Sequence, residues 1–270
     1  MDVQGKRVTL LGLGRHGGGV AAARWLARQG AEVTVTDQAS AESLQSSINE
    51  LAGEPIAAWR LGGHAESDFD QAEIVVVNPA ARPGHPFVER AAAHGALITT
   101  ELDLFLERFP GRAIGVTGSN GKSTTAAMIA EILIADGRDA YLGGNIGRSL
   151  LADLSTMNEL SWAVIEISSF QLAWLSPECP TPEVSVLTNF APNHLDWHGD
   201  VESYARAKRR MFTSLPARGA AVMRPDERGH PLWADVSPRA STVVPWPEDA
   251  IPKLQVPGRH NVENAAAAAA

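Results

Sequence analysis

The stretch Ala113-Ile114-Gly115-Val116-Thr117-Gly118-Ser119-Asn120-Gly121-Lys122-Ser123-Thr124 sets a glycine turn between an apolar run and an Ala/Ile/Met-rich segment that continues to about Ala135. The order is strand, loop, helix. Backbone N–H groups of such a loop cradle phosphate oxygens, a lysine brings a point charge to the β and γ phosphates, and the next hydroxyl can ligate Mg²⁺. Lys122 and Ser123 hold those two positions, so the loop reads as a nucleoside triphosphate site. Its spacing departs from the commonest pattern: the glycine before Gly121 is Gly118, and position 116 is Val.

Upstream lies a first α/β series. Val8-Thr9-Leu10-Leu11 leads into Gly12-Leu13-Gly14-Arg15-His16-Gly17, and Val20, Ala21, Ala23, Trp25 and Leu26 fit a helix ending near Gly30. Val33 to Thr36 then reads as a strand that ends at Asp37. Gly12, Gly14 and Gly17 match G-x-G-x-x-G, with Asp37 placed for a ribose contact. Alone, this pattern fits a nicotinamide dinucleotide, another nucleotide diphosphate, or a tight turn with no ligand. Ile74 to Val77 and Leu97 to Thr99 are further strands, with a helix over Pro86 to Ala93, and the first domain closes near Phe109-Pro110-Gly111. Downstream of the loop, strands are expected at Trp162 to Ile167, Val184 to Leu187, Ala220 to Met223 and Thr242 to Val244, with a helix over Val201 to Phe212. Strands alternating with helices imply parallel sheets with ligands at the strands' carboxyl ends.

Composition narrows the partners. The chain has 270 residues, 44% of them hydrophobic, enough for one or two packed cores, and its formal net charge is −8. That charge disfavours general attraction to nucleic acid or anionic membrane and points to small-molecule partners. The one cysteine, Cys179, forms no internal disulfide and suits a reducing compartment, so cytoplasm is the expected location. No stretch approaches the roughly 20 apolar residues of a membrane span, and the N-terminus lacks the pattern of a secretory signal. After Asn264 come six alanines. Ala is the best helix former, so a helix starting near His260-Asn261 is expected there, with the chain stopping inside it.

Several other residues have both an ordinary and a chemical reading. Glu166 ends an apolar strand, where a carboxylate is either solvated or faces a ligand at the sheet edge. His194 in a loop is ordinarily a surface or hydrogen-bonding group. Lys208, in Tyr204-Ala205-Arg206-Ala207-Lys208-Arg209-Arg210, reads by composition as part of a basic helical face. Asn145 sits in Gly143-Gly144-Asn145-Ile146-Gly147, which reads as a turn.

Taken together these segments resemble the Mur ligases. The loop Thr117 to Thr124 is followed in the family's order by Gly143 to Gly147, Glu166-Ile167-Ser168-Ser169-Phe170-Gln171-Leu172, Thr188-Asn189 through His194-Leu195-Asp196, and Gly258-Arg259-His260-Asn261-Val262-Glu263-Asn264. The resemblance implies an α/β fold with an N-terminal Rossmann-like parallel-sheet domain over 1–110. A P-loop Mur ligase central domain over 111–264 would follow, with 265–270 beginning a further C-terminal domain. It implies ATP at Gly118, Ser119, Asn120, Gly121, Lys122, Ser123 and Thr124, with Asn264 bordering the adenine. Catalytic roles fall to Lys122, Glu166, His194 and Lys208, and two Mg²⁺ ions to Ser123, Glu166, His194 and a carbamylated Lys208. Gly14, Arg15, His16 and Asp37 would hold UDP rather than NAD, and Asn145, Ser168 and Ser169 would face the UDP-sugar substrate.

Within the family, the Gly-Gly-Asn-Ile-Gly and Ser-Ser-Phe-Gln-Leu segments resemble the D-glutamate-adding branch. The implied reaction joins UDP-N-acetylmuramoyl-L-alanine to D-glutamate through an acyl phosphate, in peptidoglycan precursor synthesis, by a monomer. Four departures stand out: Arg15-His16 in the first loop, Gln38-Ala39 after the acid, Asn78-Pro79-Ala80 where relatives often have Ser-Pro-Gly, and Asn193 where many carry an acid before the histidine. The alternatives are a family member with another acceptor, a nucleotide-binding module without ligase activity, and an NAD-dependent oxidoreductase. The last leaves the phosphate loop, Glu166 and His194 unexplained.

Overall fold

The computed structural model describes residues 1–15, 17–213, 215–216, 219–224, 227, 230–233, 242–244 and 254–270. His16, expected at the first glycine turn, lies outside them. Two compact units are present. The first comprises Met1–Glu107 with Leu151–Leu154 and Trp174–Cys179, and the second comprises the remainder. The first unit is thus discontinuous in sequence: Trp174 Nε1 donates to Ala81 O at 2.7 Å and Ser176 N to Asp103 Oδ1 at 2.9 Å.

In the first unit, β1 (Arg7–Leu11), α1 (Gly18–Arg28), β2 (Glu32–Asp37), α2 (Gln45–Glu50), β3 (Ile56–Leu61), α3 (Glu66–Asp70), β4 (Ile74–Val77), α4 (Pro86–Ala93), β5 (Leu97–Thr99) and α5 (Glu101–Leu106) follow in order. The strands form one parallel sheet, β3-β2-β1-β4-β5. The order in which successive strands are added reverses between β1 and β4, the switch point where a crevice opens at the carboxyl ends. β4 is buried throughout, as a parallel strand covered on both faces must be. Gly19 lets α1 sit down on the preceding turn: a Cβ there would overlap the Leu13 carbonyl. Gly19→Ala is therefore expected to cost about 1–3 kcal/mol, read as a lower urea midpoint; an unchanged midpoint would contradict this packing.

The second unit contains β6 (Arg112–Thr117), α6 (Lys122–Ala135), β7 (Ala140–Gly144), β8 (Trp162–Glu166), α7 (Ser169–Trp174, its last residue counted with the first unit), β9 (Val184–Leu187), α8 (Leu195–His198), α9 (Val201–Thr213), β10 (Ala220–Val222), β11 (Thr242–Val244) and α10 (Arg259–Ala269). Its parallel sheet has the order β11-β10-β9-β6-β8-β7. Ile114, Val116, Val164 and Val186 on the strands pack with Ala126, Ile129 and Ala130 of α6 and with Ala266 and Ala267 of α10. The alanine run thus forms a helix whose small side chains allow close packing on α6.

The expected strands appear with small shifts at their ends. Two further strands, β3 and β7, stand at sheet edges and are largely half-exposed or exposed. Gly143 and Gly144 finish β7 rather than forming a turn.

Candidate functional site

Sheet order fixes what surrounds the phosphate loop. β6 lies between β8 and β9, with Val116 opposite Glu166 and Thr117 opposite Leu187, so the loop emerges between Glu166 and Thr188. Glu166 is only 2% exposed. A buried carboxylate needs compensating donors, and Ser123 Oγ donates to Oε2 at 2.7 Å while Asn145 Nδ2 donates to Oε1 at 2.8 Å. The Asn145 backbone N–H also donates to the Glu166 carbonyl at 2.8 Å, joining β7 to the end of β8. Both side-chain donors are neutral; Lys122 acts on the carboxylate through space, and its own pKa is lowered by burial against that attraction.

Lys122 Nζ donates to the carbonyls of Gly118 and Ser119, each at 3.2 Å. Ser119 is built into the scaffold: its hydroxyl donates to Ala191 O, accepts from Ala191 N and meets the Tyr204 hydroxyl at 3.0 Å. The Asn120 peptide is held by Asn189. The N–H groups of Lys122, Ser123 and Thr124 begin α6, where none has an intrahelical acceptor; Thr125 N makes the first bond of the turn, to Gly121 O at 2.9 Å. Asn264, on α10, is buried against Gly121, its Oδ1 standing where a Cβ on that glycine would go. Lys122, Ser123, Glu166, Asn145 and Asn264 therefore gather at one loop.

Lys208, on α9, joins them. It is 1% exposed, donates to Gly118 O at 2.8 Å and to Thr117 Oγ1 at 3.4 Å, and lies 4.7 Å over the Tyr204 ring. Burial, then the charge of Lys122, pushes its pKa down to about 7. The solvated basic face belongs to its neighbours, not to Lys208. His194 is exposed, has φ of 53° and rests on Phe170 with ring centroids 4.9 Å apart. It is not drawn into the Ser123–Glu166 pair, and among the described residues no group of three His, Cys, Asp or Glu forms a metal cluster. Glu166 and Ser123 offer adjacent hard oxygen donors with lone pairs to spare, a set that fits Mg²⁺.

Ser168 and Gln171 form a reciprocal cap on α7: the Gln171 side chain accepts from Ser168 N and Oγ, and Gln171 N donates to Ser168 Oγ. The S-x-x-Q spacing signals this directly. Ser169 Oγ instead meets His198 Nε2 at 2.9 Å. The imidazole of His198 is held at about 4 by burial, then by the charges of Lys208 and His194, so it is neutral at pH 7.

In the first unit, a cleft of about 690 Å³ opens at the sheet's switch point. Gly12, Gly14, Asp37 and Asn78 line it, with His64 and His85 on the wall. Asp37 accepts from Gly14 N at 3.0 Å and Ala39 N at 2.8 Å, and Asn78 Nδ2 donates to Gly12 O at 3.1 Å. Asn78 thereby braces the glycine turn. Arg15 is exposed and does not line the cleft. His64 and His85 carry no motif and were not legible from sequence. Their ring centroids lie 6.1 Å apart, and burial lowers both pKa values.

Comparison with known proteins supplies the context. Residues 116–245 match the Mur ligase middle domain, and residues 6–100 match the N-terminal domain of MurD-like Mur ligases. The chain is similar to the UDP-N-acetylmuramoylalanine--D-glutamate ligase of Roseiflexus sp. (strain RS-1), 39% identical over 96% of this chain and 55% of that protein. It is 34% identical to the ligase of the same name from Acidobacterium capsulatum, over 99% of this chain and 63% of that protein. The chain thus spans roughly half to two thirds of these relatives' length. Among solved structures, UDP-N-acetylmuramate:L-alanyl-gamma-D-glutamyl-meso-diaminopimelate ligase from Neisseria meningitides superposes with a TM-score of 0.60 at 18% identity, covering 98% of this chain and 92% of that one. The UDP-N-acetylmuramate-alanine ligase of Thermotoga maritima gives 0.57 at 20%, covering 97% and 64%. These structures share the fold.

Proposed function

The chain belongs to the Mur ligase family, and from that premise we propose that it holds the ATP and UDP-sugar sites of a ligase that adds D-glutamate to UDP-N-acetylmuramoyl-L-alanine. The observation that carries the reading is the buried Glu166 carboxylate bonded to Ser123 at the phosphate loop, beside Lys122. A carboxylate does not acylate an amine unaided at neutral pH. An oxygen of the substrate carboxylate attacks the γ-phosphorus of ATP and ADP leaves, giving an acyl phosphate. The D-glutamate amine then attacks the acyl carbon, loses a proton, and inorganic phosphate departs. Lys122 supplies positive charge where negative charge develops on the transferring phosphoryl group. Glu166 and Ser123 would hold Mg²⁺, which neutralises phosphate charge when bound. Asn145 keeps the carboxylate turned toward the loop.

Lys208 has the chemistry for carbamylation. A lysine with a pKa near 7 is partly neutral at pH 7, and the neutral amine attacks CO₂, releasing a proton and leaving an oxygen-bearing carbamate. The cleft at Gly14, Asp37 and Asn78 is the proposed UDP site, and Ser169 the substrate-facing hydroxyl at the other sheet. His194, exposed next to Phe170, is proposed as a further metal ligand. This reading assigns the protein to the cytoplasm, to peptidoglycan precursor synthesis and so to cell-wall growth, cell shape and division. In the complete protein, ADP release should require both UDP-N-acetylmuramoyl-L-alanine and D-glutamate. Preferential turnover with another amino acid would overturn the acceptor.

A further inference from the structure

We propose that Asn189 is a positioning residue of the phosphate loop, its carboxamide gripping the Asn120 backbone at both its N–H and its carbonyl and so fixing which way the next N–H points. The inference rests on the nucleotide reading above and adds a residue that acts through the loop backbone it holds. Past the end of β9, pairing with β6 continues into the loop: Thr188 N donates to Thr117 O at 3.0 Å, and Ser119 N to Asn189 O at 2.9 Å. The Asn189 side chain then takes over. Its Oδ1 accepts from Asn120 N at 3.0 Å and its Nδ2 donates to Asn120 O at 2.9 Å. Thr188 Oγ1 donates to the same carbonyl at 2.6 Å. This approach depends on Gly118, because a Cβ there would overlap Thr188 Oγ1 and press on the Asn189 backbone.

Planarity of the peptide turns this grip into a function. The Asn120 carbonyl and the Gly121 N–H belong to one peptide unit and point in opposite directions. Two donors hold the carbonyl toward Thr188 and Asn189, so the Gly121 N–H is aimed away from them. Gly121 has φ of +80° and, lacking a Cβ, resists a flip of this peptide weakly. A flipped peptide would exchange an N–H for a carbonyl oxygen in a loop built for anions. Asn189 opposes that flip, and the peptides it anchors carry the carbonyls that hold Lys122 Nζ and Lys208 Nζ.

Only a carboxamide presents an acceptor and a donor side by side at this length. Asp fills the same space with two acceptors, one of which must oppose the Asn120 carbonyl. The test titrates ADP with Mg²⁺ into the complete protein carrying Asn189→Asp or Asn189→Ala, with UDP titrated as a control. Both variants should lose about tenfold or more in ADP affinity while UDP affinity stays within about twofold. ADP binding by Asn189→Asp within about twofold of the unmodified protein would overturn the proposal, since Asp preserves the packing. A parallel fall in UDP affinity in both variants would overturn it too, as general destabilisation. Lys122→Ala separates the two levels: if it loses ADP and Asn189→Asp does not, only the positioning role fails. If Lys122→Ala also binds ADP normally, the nucleotide reading itself fails.

Discussion

Lys122→Ala should lower ADP formation by roughly 100- to 1000-fold or more, the scale seen when one charge-stabilising donor is removed from a reacting centre. Among the described residues the side chain's hydrogen bonds go to carbonyls of its own loop, Gly118 and Ser119, so its removal leaves the strand pairing of the sheet intact. UDP-sugar affinity should be nearly unchanged, because Gly14, Asp37 and Asn78 belong to the first unit. Steady-state ADP release together with UDP titration checks both halves. Normal turnover in this variant would remove the loop from the reaction.

Lys208→Ala should abolish most activity, and short carboxylates such as acetate should restore part of it by supplying the oxygens of the missing carbamate. The unmodified protein offers a second readout. Its Lys208 amine is pushed down to about 7 by burial and by Lys122, so the ammonium form grows as pH falls below that value. Protein freed of CO₂ should regain activity with bicarbonate readily at pH 8 and poorly at pH 6, since only the neutral amine captures CO₂. Full activity in the alanine variant without added carboxylate would refute the role.

Much of this architecture was written in local sequence. The strand, glycine loop and helix around Lys122 announce themselves because backbone geometry, a charge and a helix start must coincide there. Glu166 was legible as a strand-end acid, but its bonds to Ser123 and Asn145 depend on β6 and β8 being neighbours, which no local pattern states. Edge strands β3 and β7 escaped because half-exposed strands lack a strong apolar signature. The resemblance reads Ser168 as a substrate contact, and its spacing to Gln171 also encodes a helix cap. Lys208 sits in a basic run that hides its burial, since only the packing of α9 against Thr117 and Gly118 reveals it. Asn189 was visible as part of a motif, and its grip on Asn120 required the fold. The discontinuity of the first unit has the same origin: Trp174 reaches Ala81 across 93 residues of chain.

The acyl-phosphate route has a direct isotopic signature. UDP-N-acetylmuramoyl-L-alanine labelled with ¹⁸O in its terminal carboxylate is incubated with ATP, Mg²⁺, D-glutamate and the complete protein, and the released phosphate is analysed by mass. The reading built on Lys122, Ser123 and Glu166 predicts one labelled oxygen in each phosphate formed from fully labelled substrate, and none when D-glutamate and the UDP-sugar are replaced by water alone. Product formed with unlabelled phosphate would contradict it, because the substrate carboxylate would then never have attacked the phosphoryl group.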